Sequence, residues 1–207
     1  MSKLPRFTLW LVRHARPIVQ PGICYGRSDL PADTEHTQEA ALALSKTLLN
    51  GPCPRDFEVW VSPLLRTQSL ANALASVHPF GLTFTNDHRL AEMDFGTWEG
   101  KPWADISAEA YDAWTADFTH HRVGDGESVA MLLERVQLAW QDTFNNALQQ
   151  GRQSAMWVTH AGVIRAMQLL HSGIKLPLQA SDWPREAPGF GEWTVLEWPS
   201  AVHSSNH

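Results

Sequence analysis

The sequence has few cysteines, no basic tract and no long apolar run. Its 207 residues include two cysteines, Cys24 and Cys53, which are not spaced as a CxxC pair. Two isolated cysteines favour reduced cytoplasmic thiols over a disulfide framework. With a formal net charge of −6 and no cluster of lysine or arginine, the chain is not expected to bind nucleic acid.

The apolar segments are also too short to cross a membrane, and the first of them is not typical of a secretion signal. In "MSKLPRFTLWLVRHARP" the run is followed by Arg13, His14 and Arg16, where a signal would need small residues. We therefore expect a cytoplasmic protein that makes no membrane contact. The chain has no Walker-type glycine loop and no HExxH pair, and His120–His121 lacks partners at metal-ligand spacing. Neither a metal nor another cofactor is expected.

Short apolar segments alternate with segments rich in helix formers. The predicted strands are residues 7–13, 57–62, 82–85, 154–160 and 192–198, and the predicted helices are 35–49, 63–77, 103–118, 127–150 and 161–173. This alternation predicts an α/β fold, a three-layer sandwich with a mostly parallel central sheet flanked by helices. We expect one domain over residues 1–207, with a helical cover segment at 101–123 and a polar tail at 200–207.

Three of the predicted strands end in similar ways. The endings are "WLVRHA" at 10–15, "WVSP" at 60–63 and "WVTHAG" at 157–162. In α/β sheets, ligands bind beyond the carboxyl ends of the strands, and right-handed crossovers bring those ends to the same edge. Arg13, His14, Arg66 and His160 can therefore meet there. Two histidines and two arginine forks beside helix N-termini predict a site for a phosphoryl group.

Five sequence blocks resemble, in the same order, those of the histidine phosphatase (phosphoglycerate mutase-like) superfamily. They are "LVRHARP", "VSPLLRTQSLANAL", "LAEMDFGTWEG", "GDGES" and "VTHAGVIRAM", and together they extend over roughly residues 7–170. The "GICYGRSDLP" segment and the short chain resemble the α-ribazole phosphatase-like branch. The resemblance implies the phosphoglycerate mutase-like fold and chemistry on a phosphate ester.

The chain departs from the family pattern beside both histidines. Ala15 and Ala161 stand where glycine usually follows, and Arg16-Pro17 replaces a more common Glu-Thr or Glu-Ser pair. None of these changes removes a charged catalytic residue. Arg16 adds positive charge near the pocket, and we predict that Arg16, Tyr25 and Ala161 contact the substrate.

The resemblance implies a role for each of the histidines and arginines at the strand ends. His14 is the expected nucleophile and would form a phosphohistidine, which requires a neutral imidazole. Arg13 and Arg66 are expected to disfavour the imidazolium and to hold the oxygens of the phosphoryl group. His160 would donate a further hydrogen bond to that group and, if protonated, a positive charge.

Glu92 is the predicted general acid. A departing alkoxide needs a proton, and a carboxyl group beside a phosphate dianion can supply it. The same carboxylate could then activate water against the phosphohistidine. Asp94 and Glu99 are rival carboxylates only a few residues away, and the register of the "LAEMDFGTWEG" block favours Glu92.

The sequence thus predicts a metal-independent phosphomonoester hydrolase that acts on a small molecule. The branch resemblance implies α-ribazole 5′-phosphate as a candidate substrate. One alternative is a phosphoglycerate mutase-type phosphotransferase, and a second is a noncatalytic phospho-ligand binder. The predicted cover segment favours a larger, partly apolar leaving group over a small dianion, because it contains Trp103, Tyr111, Trp114 and Phe118 among several acidic residues. A noncatalytic binder would lack a nucleophile or an acid, and neither is missing.

Overall fold

The computed structural model describes residues 6–50, 57–177 and 179–199. Cys53 and the predicted polar tail at 200–207 lie outside these residues. Five strands are present: β1 (Arg6–Arg13), β2 (Glu58–Val61), β3 (Phe84–Asn86), β4 (Ser154–Thr159) and β5 (Trp193–Pro199). The α-helices are α1 (Thr34–Asn50), α2 (Leu65–Val77), α3 (Ala108–Ala116), α4 (Val129–Gln149) and α5 (Ala161–His171). Short 3₁₀ turns cover His88–Leu90, Gly96–Trp98, Trp103–Asp105, Val123–Asp125 and Ala180–Asp182.

The strands form one sheet in the order β3-β2-β4-β1-β5. Parallel pairing joins β1 to β4, β2 to β4 and β2 to β3, whereas β5 pairs antiparallel with β1 at one edge. The central strand β4 is buried along its whole length, as expected for a parallel strand covered on both faces. The mostly parallel sheet predicted from the sequence is confirmed.

Helices cover both faces of the sheet because successive side chains of each strand point to opposite sides. On one face Val12 and Val158 pack with α1 and α2, where Leu44 and Leu70 are buried. On the other face the packing partners are α4 and α5. The buried residues there include Leu9, Leu11, Trp157, Leu132 and Ile164. Fully burying one such apolar side chain contributes about 1.5–3 kcal/mol, and these two cores together form the three-layer sandwich.

The sheet order places the carboxyl ends of β1, β4 and β2 side by side. Backbone pairing continues one residue past these strands, because the His14 N–H donates to the Thr159 carbonyl at 3.0 Å and the Ser62 N–H donates to the Val158 carbonyl at 3.0 Å. The three similar strand endings therefore lie next to each other. Within the described ranges, no helix combines the length and the apolarity needed to cross a membrane.

Candidate active site

His14 directly follows β1 and is 2% exposed. Its Nδ1 lies 2.7 Å from the Ala15 carbonyl oxygen. A carbonyl only accepts hydrogen bonds, so Nδ1 carries the ring proton and Nε2 keeps its lone pair. Burial lowers the pKa of His14 to about 3, and the positive charges of Arg66 and Arg13 act in the same direction. The imidazole is therefore neutral near pH 7, and burial contributes more to this than the arginines named from the sequence.

Arg66 lies in the first turn of α2 and is fully buried. Its two terminal nitrogens donate to the Ser28 and Gly26 carbonyls, each at 2.7 Å. The Glu99 carboxylate holds this loop in place, since it accepts from the backbone N–H of Arg27 at 2.8 Å and of Ser28 at 2.7 Å. A Cβ at Gly26 would lie 2.4 Å from the Glu99 carboxylate, so the loop needs glycine there.

Arg13, at the end of β1, is held by contacts on three sides. It donates to the Pro188 carbonyl at 2.9 Å, and its guanidinium lies 4.0 Å from the ring centroid of Phe190. On the third side lies Tyr25, whose hydroxyl interacts electrostatically with the Arg13 guanidinium. The Tyr25 ring also lies 5.4 Å from the guanidinium carbon of Arg66. Tyr25 thus joins the two arginines.

His160 follows β4 and is fully buried beside His14, with the two ring centroids 5.0 Å apart. The Nε2 of His160 is 2.8 Å from the Ser62 hydroxyl oxygen, so all three strand ends meet here. Burial lowers the pKa of His160 well below its ordinary value, and the electrostatic effects of His14 and Arg66 reinforce the shift. A neutral His160 can donate a hydrogen bond to a phosphoryl oxygen.

We call Arg13, His14, Arg66 and His160 the phosphoryl site. The Nε of Arg13, the Nε of Arg66 and the Nδ1 of His160 are buried and have no hydrogen-bond partner in the part of the chain that the structure describes. Buried polar groups in folded proteins nearly always have partners. Phosphoryl oxygens are strong acceptors for such donors, and the cluster is suited to bind a phosphate ester.

Glu92 lies between the phosphoryl site and the N-terminus of α5. Its Oε2 accepts from the Gly162 N–H at 3.0 Å, and its Oε1 accepts from the Met93 N–H at 3.0 Å. A Cβ at position 162 would be 2.2 Å from Glu92 Oε1, so glycine permits this close approach. Burial lowers the pKa of both Arg13 and Arg66, and the negative charge of Glu92 opposes this shift in each, which indicates that the carboxylate lies near both guanidinium groups.

The two rival carboxylates have other partners. Asp94 Oδ1 accepts from the Gly96 N–H at 2.8 Å, and its Oδ2 is 3.6 Å from Arg27. Glu99 holds the loop behind Arg66, as described above, and accepts from the Phe95 N–H at 3.1 Å. Of the three carboxylates, Glu92 is therefore the one that contacts the start of α5 beside His160.

Arg135, on α4, fixes the backbone that carries Glu92. Its guanidinium donates to the carbonyls of Arg89 at 2.5 Å, Ala91 at 2.7 Å and Glu92 at 3.3 Å. The Glu127 carboxylate pairs with the same guanidinium at 2.6 and 2.9 Å. No sequence motif indicated this contact, because it joins residues more than 40 positions apart.

The remaining predicted substrate contacts lie in different surroundings. Tyr25 is in the cluster, and Ala161 is the buried first residue of α5, directly after His160. Arg16 is exposed, and its backbone pairs with Asp33 at 2.8 Å and His36 at 3.3 Å. The structure thus brings Tyr25 and Ala161 together with the five predicted catalytic residues, whereas Arg16 lies at the surface. Among the described residues, no group of three or more His, Cys, Asp or Glu side chains could hold a metal ion.

Comparison with known proteins identifies the family of this chain. The family model of the histidine phosphatase superfamily (branch 1) matches residues 9–200. The chain belongs to this superfamily. A Hydrogenobacter thermophilus protein with the provisional name phosphoserine phosphatase 2 is 28% identical over 172 residues, which are 81% of this chain and 80% of that protein.

Two solved structures illustrate the range of related phosphatases. The α-ribazole phosphatase from Shigella flexneri is 27% identical with a TM-score of 0.71, over 91% of this chain and 89% of that chain. A mycobacterial glucosyl-3-phosphoglycerate phosphatase bound to VO3 is 25% identical, also with a TM-score of 0.71, over 91% and 92% of the two chains. The family and its phosphatase relatives identify the chain as a phosphatase, and the fold and the branch resemblance predicted from the sequence are confirmed.

Proposed function

We propose that this phosphatase is a metal-independent phosphomonoester hydrolase that transfers the phosphoryl group through Nε2 of His14. The observation that supports this most is the hydrogen bond from Nδ1 to the Ala15 carbonyl. It fixes the tautomer that leaves Nε2 unprotonated, and the depressed pKa keeps the ring neutral. A neutral imidazole beside two guanidinium groups is suited to attack a phosphate ester.

In the first step, Nε2 of His14 attacks phosphorus and the bond from phosphorus to the ester oxygen breaks. Arg13, Arg66 and His160 stabilise the phosphoryl oxygens, where charge is spread in the transition state. Glu92, in its protonated form, donates its proton to the departing oxygen and becomes a carboxylate. The products of this step are an alcohol and a phosphohistidine.

In the second step, water replaces the alcohol. The Glu92 carboxylate removes a proton from the water as its oxygen bonds to phosphorus, and the bond between phosphorus and Nε2 breaks. Inorganic phosphate leaves, His14 returns to its neutral state, and Glu92 is protonated again. The two arginines supply the positive charge that other phosphatases obtain from metal ions.

The proposed substrate is a small-molecule phosphomonoester. α-Ribazole 5′-phosphate is one candidate because of the likeness to an α-ribazole phosphatase. A mutase-type phosphotransferase is less well supported, because the wall of the space beside Glu92 is largely aromatic and apolar, with Arg165 as the single cation among its lining residues. A noncatalytic binder is not favoured, because a nucleophile and an acid lie together. The cytoplasmic location expected from the cysteines stays a prediction.

The test is to measure phosphate release from an aryl phosphate with wild-type protein, with and without EDTA. We expect turnover that survives chelation and is lost in His14→Ala. The matched control is His120→Ala, the same change in an exposed loop, which should retain activity and melt at a similar temperature. Loss of wild-type activity in EDTA with recovery on adding a divalent metal would overturn the metal-independent mechanism.

A further inference from the structure

A cavity of about 270 Å³ adjoins Glu92, and both Glu92 and Gly162 line it. Four aromatic side chains form much of its wall. Trp114 stacks on Phe118 with centroids 5.7 Å apart, Phe118 meets Trp183 edge-on at 6.1 Å, and Phe95 meets Trp114 edge-on at 6.4 Å. We call this space the aromatic cavity. Since Glu92 borders both regions, a phosphate ester at His14 would direct its alcohol portion into the aromatic cavity.

Two hydrogen-bond donors in the wall have no acceptor. The Nε of Arg165 and the Nε1 of Trp114 are buried and without a partner among the described residues. Arg165 donates only through a terminal nitrogen, to the Arg185 carbonyl at 3.2 Å. The carboxylate in the cavity wall belongs to Glu92 and is bonded to the backbone N–H of Gly162. The guanidinium of Arg165 therefore has no carboxylate partner within the described chain.

The absence of an acceptor for the Nε of Arg165 and the Nε1 of Trp114 is unusual, because buried donors are nearly always satisfied. The natural complement is an acceptor supplied by a ligand, and a carboxylate matches the planar guanidinium. The aromatic rings favour a flat ring as the body of that ligand. The volume of about 270 Å³ is below the usual range of roughly 300–1,000 Å³ for ligand pockets, which favours a compact ring over an extended one.

We propose that the aromatic cavity binds the leaving group of the substrate, and that this leaving group is a compact, ring-bearing alcohol with an anionic acceptor that faces Arg165 and Trp114. The inference rests on the proposed function, because it assigns the substrate class to the same site. It disfavours α-ribazole 5′-phosphate, whose nucleoside portion has no anionic group. The phosphoryl group would occupy the phosphoryl site, the ester oxygen would face Glu92, and the ring would lie among Trp114, Phe118 and Trp183.

The test compares benzyl phosphate with 4-carboxybenzyl phosphate. The two esters have similar alcohols as leaving groups, because a methylene separates the ester oxygen from the ring, and they differ in one remote carboxylate. We expect wild-type kcat/KM to be about 10- to 100-fold higher for the carboxylated ester, as for a hydrogen bond between charged groups. Arg165→Gln should bring the ratio of the two kcat/KM values close to one, and Trp114→Phe should lower it by a smaller factor.

Lys46→Gln is the matched control for the loss of charge. Lys46 is exposed on α1, which covers the opposite face of the sheet, and this variant should keep the wild-type ratio. A wild-type ratio near one, or an Arg165→Gln ratio equal to that of the wild type, would overturn the inference while hydrolysis itself stands. Failure to hydrolyse any ester, aryl phosphates included, would instead overturn the proposed function.

Discussion

Glu92 borders both the phosphoryl site and the aromatic cavity, but these two regions are built in different ways. In the phosphoryl site, backbone carbonyls fix the polar groups: Ala15 orients His14, Pro188 holds Arg13, and the loop at Gly26 holds Arg66. In the aromatic cavity, the wall consists of side chains that pack on one another across separate segments. The first arrangement permits little change in residue type, whereas the second can accept other residues of similar size. The strand ends therefore carry the residues for catalysis, and the surrounding segments determine which substrate binds.

Replacing Glu92, which borders both regions, should give the largest change in activity. Glu92→Gln keeps the shape of the side chain but removes the acidic proton. Hydrolysis of an alkyl phosphate should fall about 10²–10⁴-fold, because an alkoxide cannot leave without a proton. A nitrophenyl phosphate should lose less in the phosphorylation step, because nitrophenolate leaves unaided. Single-turnover phosphorylation rates of both esters provide the measurement.

The control for this change is Asp94→Asn, which alters the neighbouring rival carboxylate and keeps the Oδ1 that accepts from Gly96. We expect it to retain the wild-type dependence on the leaving group. An equal loss for both esters in Glu92→Gln would remove Glu92 from the role of acid and make Asp94 the next residue to test.

Weakening the phosphoryl site alone should affect every substrate alike. Arg66→Lys keeps the positive charge but loses the planar fork that holds two carbonyls and faces the phosphoryl group. We expect kcat/KM to fall about 10²–10³-fold, the usual cost of one donor to a transition-state oxyanion. The factor should be the same for aryl phosphate, benzyl phosphate and 4-carboxybenzyl phosphate.

Arg152→Lys is the control for the Arg66 change. Arg152 precedes β4, at the opposite end of the strands, and pairs with Glu58 at 3.0 Å. Its conversion to lysine should leave kcat/KM unaltered. A decrease in Arg66→Lys that depended strongly on the leaving group would mean that the two regions do not act separately.

A smaller effect is expected on the pH dependence of the free energy of unfolding. This dependence reports whether His14 is shielded from water in the folded state. The pKa of His14 is about 3 in the folded chain and about 6.5 in an unfolded chain. Between these values the unfolded state binds more protons, so the contribution of His14 to stability is complete above about pH 6.5 and is lost as the pH falls toward 3. From pH 6 to pH 4.5, the wild type should lose on the order of 2 kcal/mol relative to His14→Gln.

Denaturant unfolding of both proteins at each pH gives this difference. Parallel curves for the wild type and His14→Gln would show that His14 is hydrated and titrates normally in the folded state. The phosphoryl site could then not be described as shielded from water.

The sequence predicted the strand ends well because each is encoded locally. An apolar run, a polar stop and a helix former lie within about ten residues, and right-handed crossovers bring the strand ends to the same edge of the sheet. The meeting of His14 with His160 was predictable for the same reason. Glu92 depended on a resemblance, since its partner Gly162 is 70 positions away.

Other contacts had no local signal. Phe190 contacts Arg13 from the turn before β5, and Arg135 contacts the Glu92 backbone from the second turn of α4. The neutrality of His160 depends on its complete burial, which no spacing rule gives. Arg165 follows the "THAG" motif on the next turn of helix, yet only the fold shows that Trp114 and Trp183 come together around it.

The measurement that tests the covalent mechanism most directly is a rapid-quench experiment with an aryl phosphate in stoichiometric excess. We expect a phosphoenzyme, formed within the first turnover, that is stable to base and labile to acid and that maps to His14. Its amount should increase in Glu92→Gln if the carboxylate activates water in the second step. Turnover without any phosphoenzyme, or a phosphoryl group attached to another residue, would contradict the assignment of Nε2 of His14 as the nucleophile.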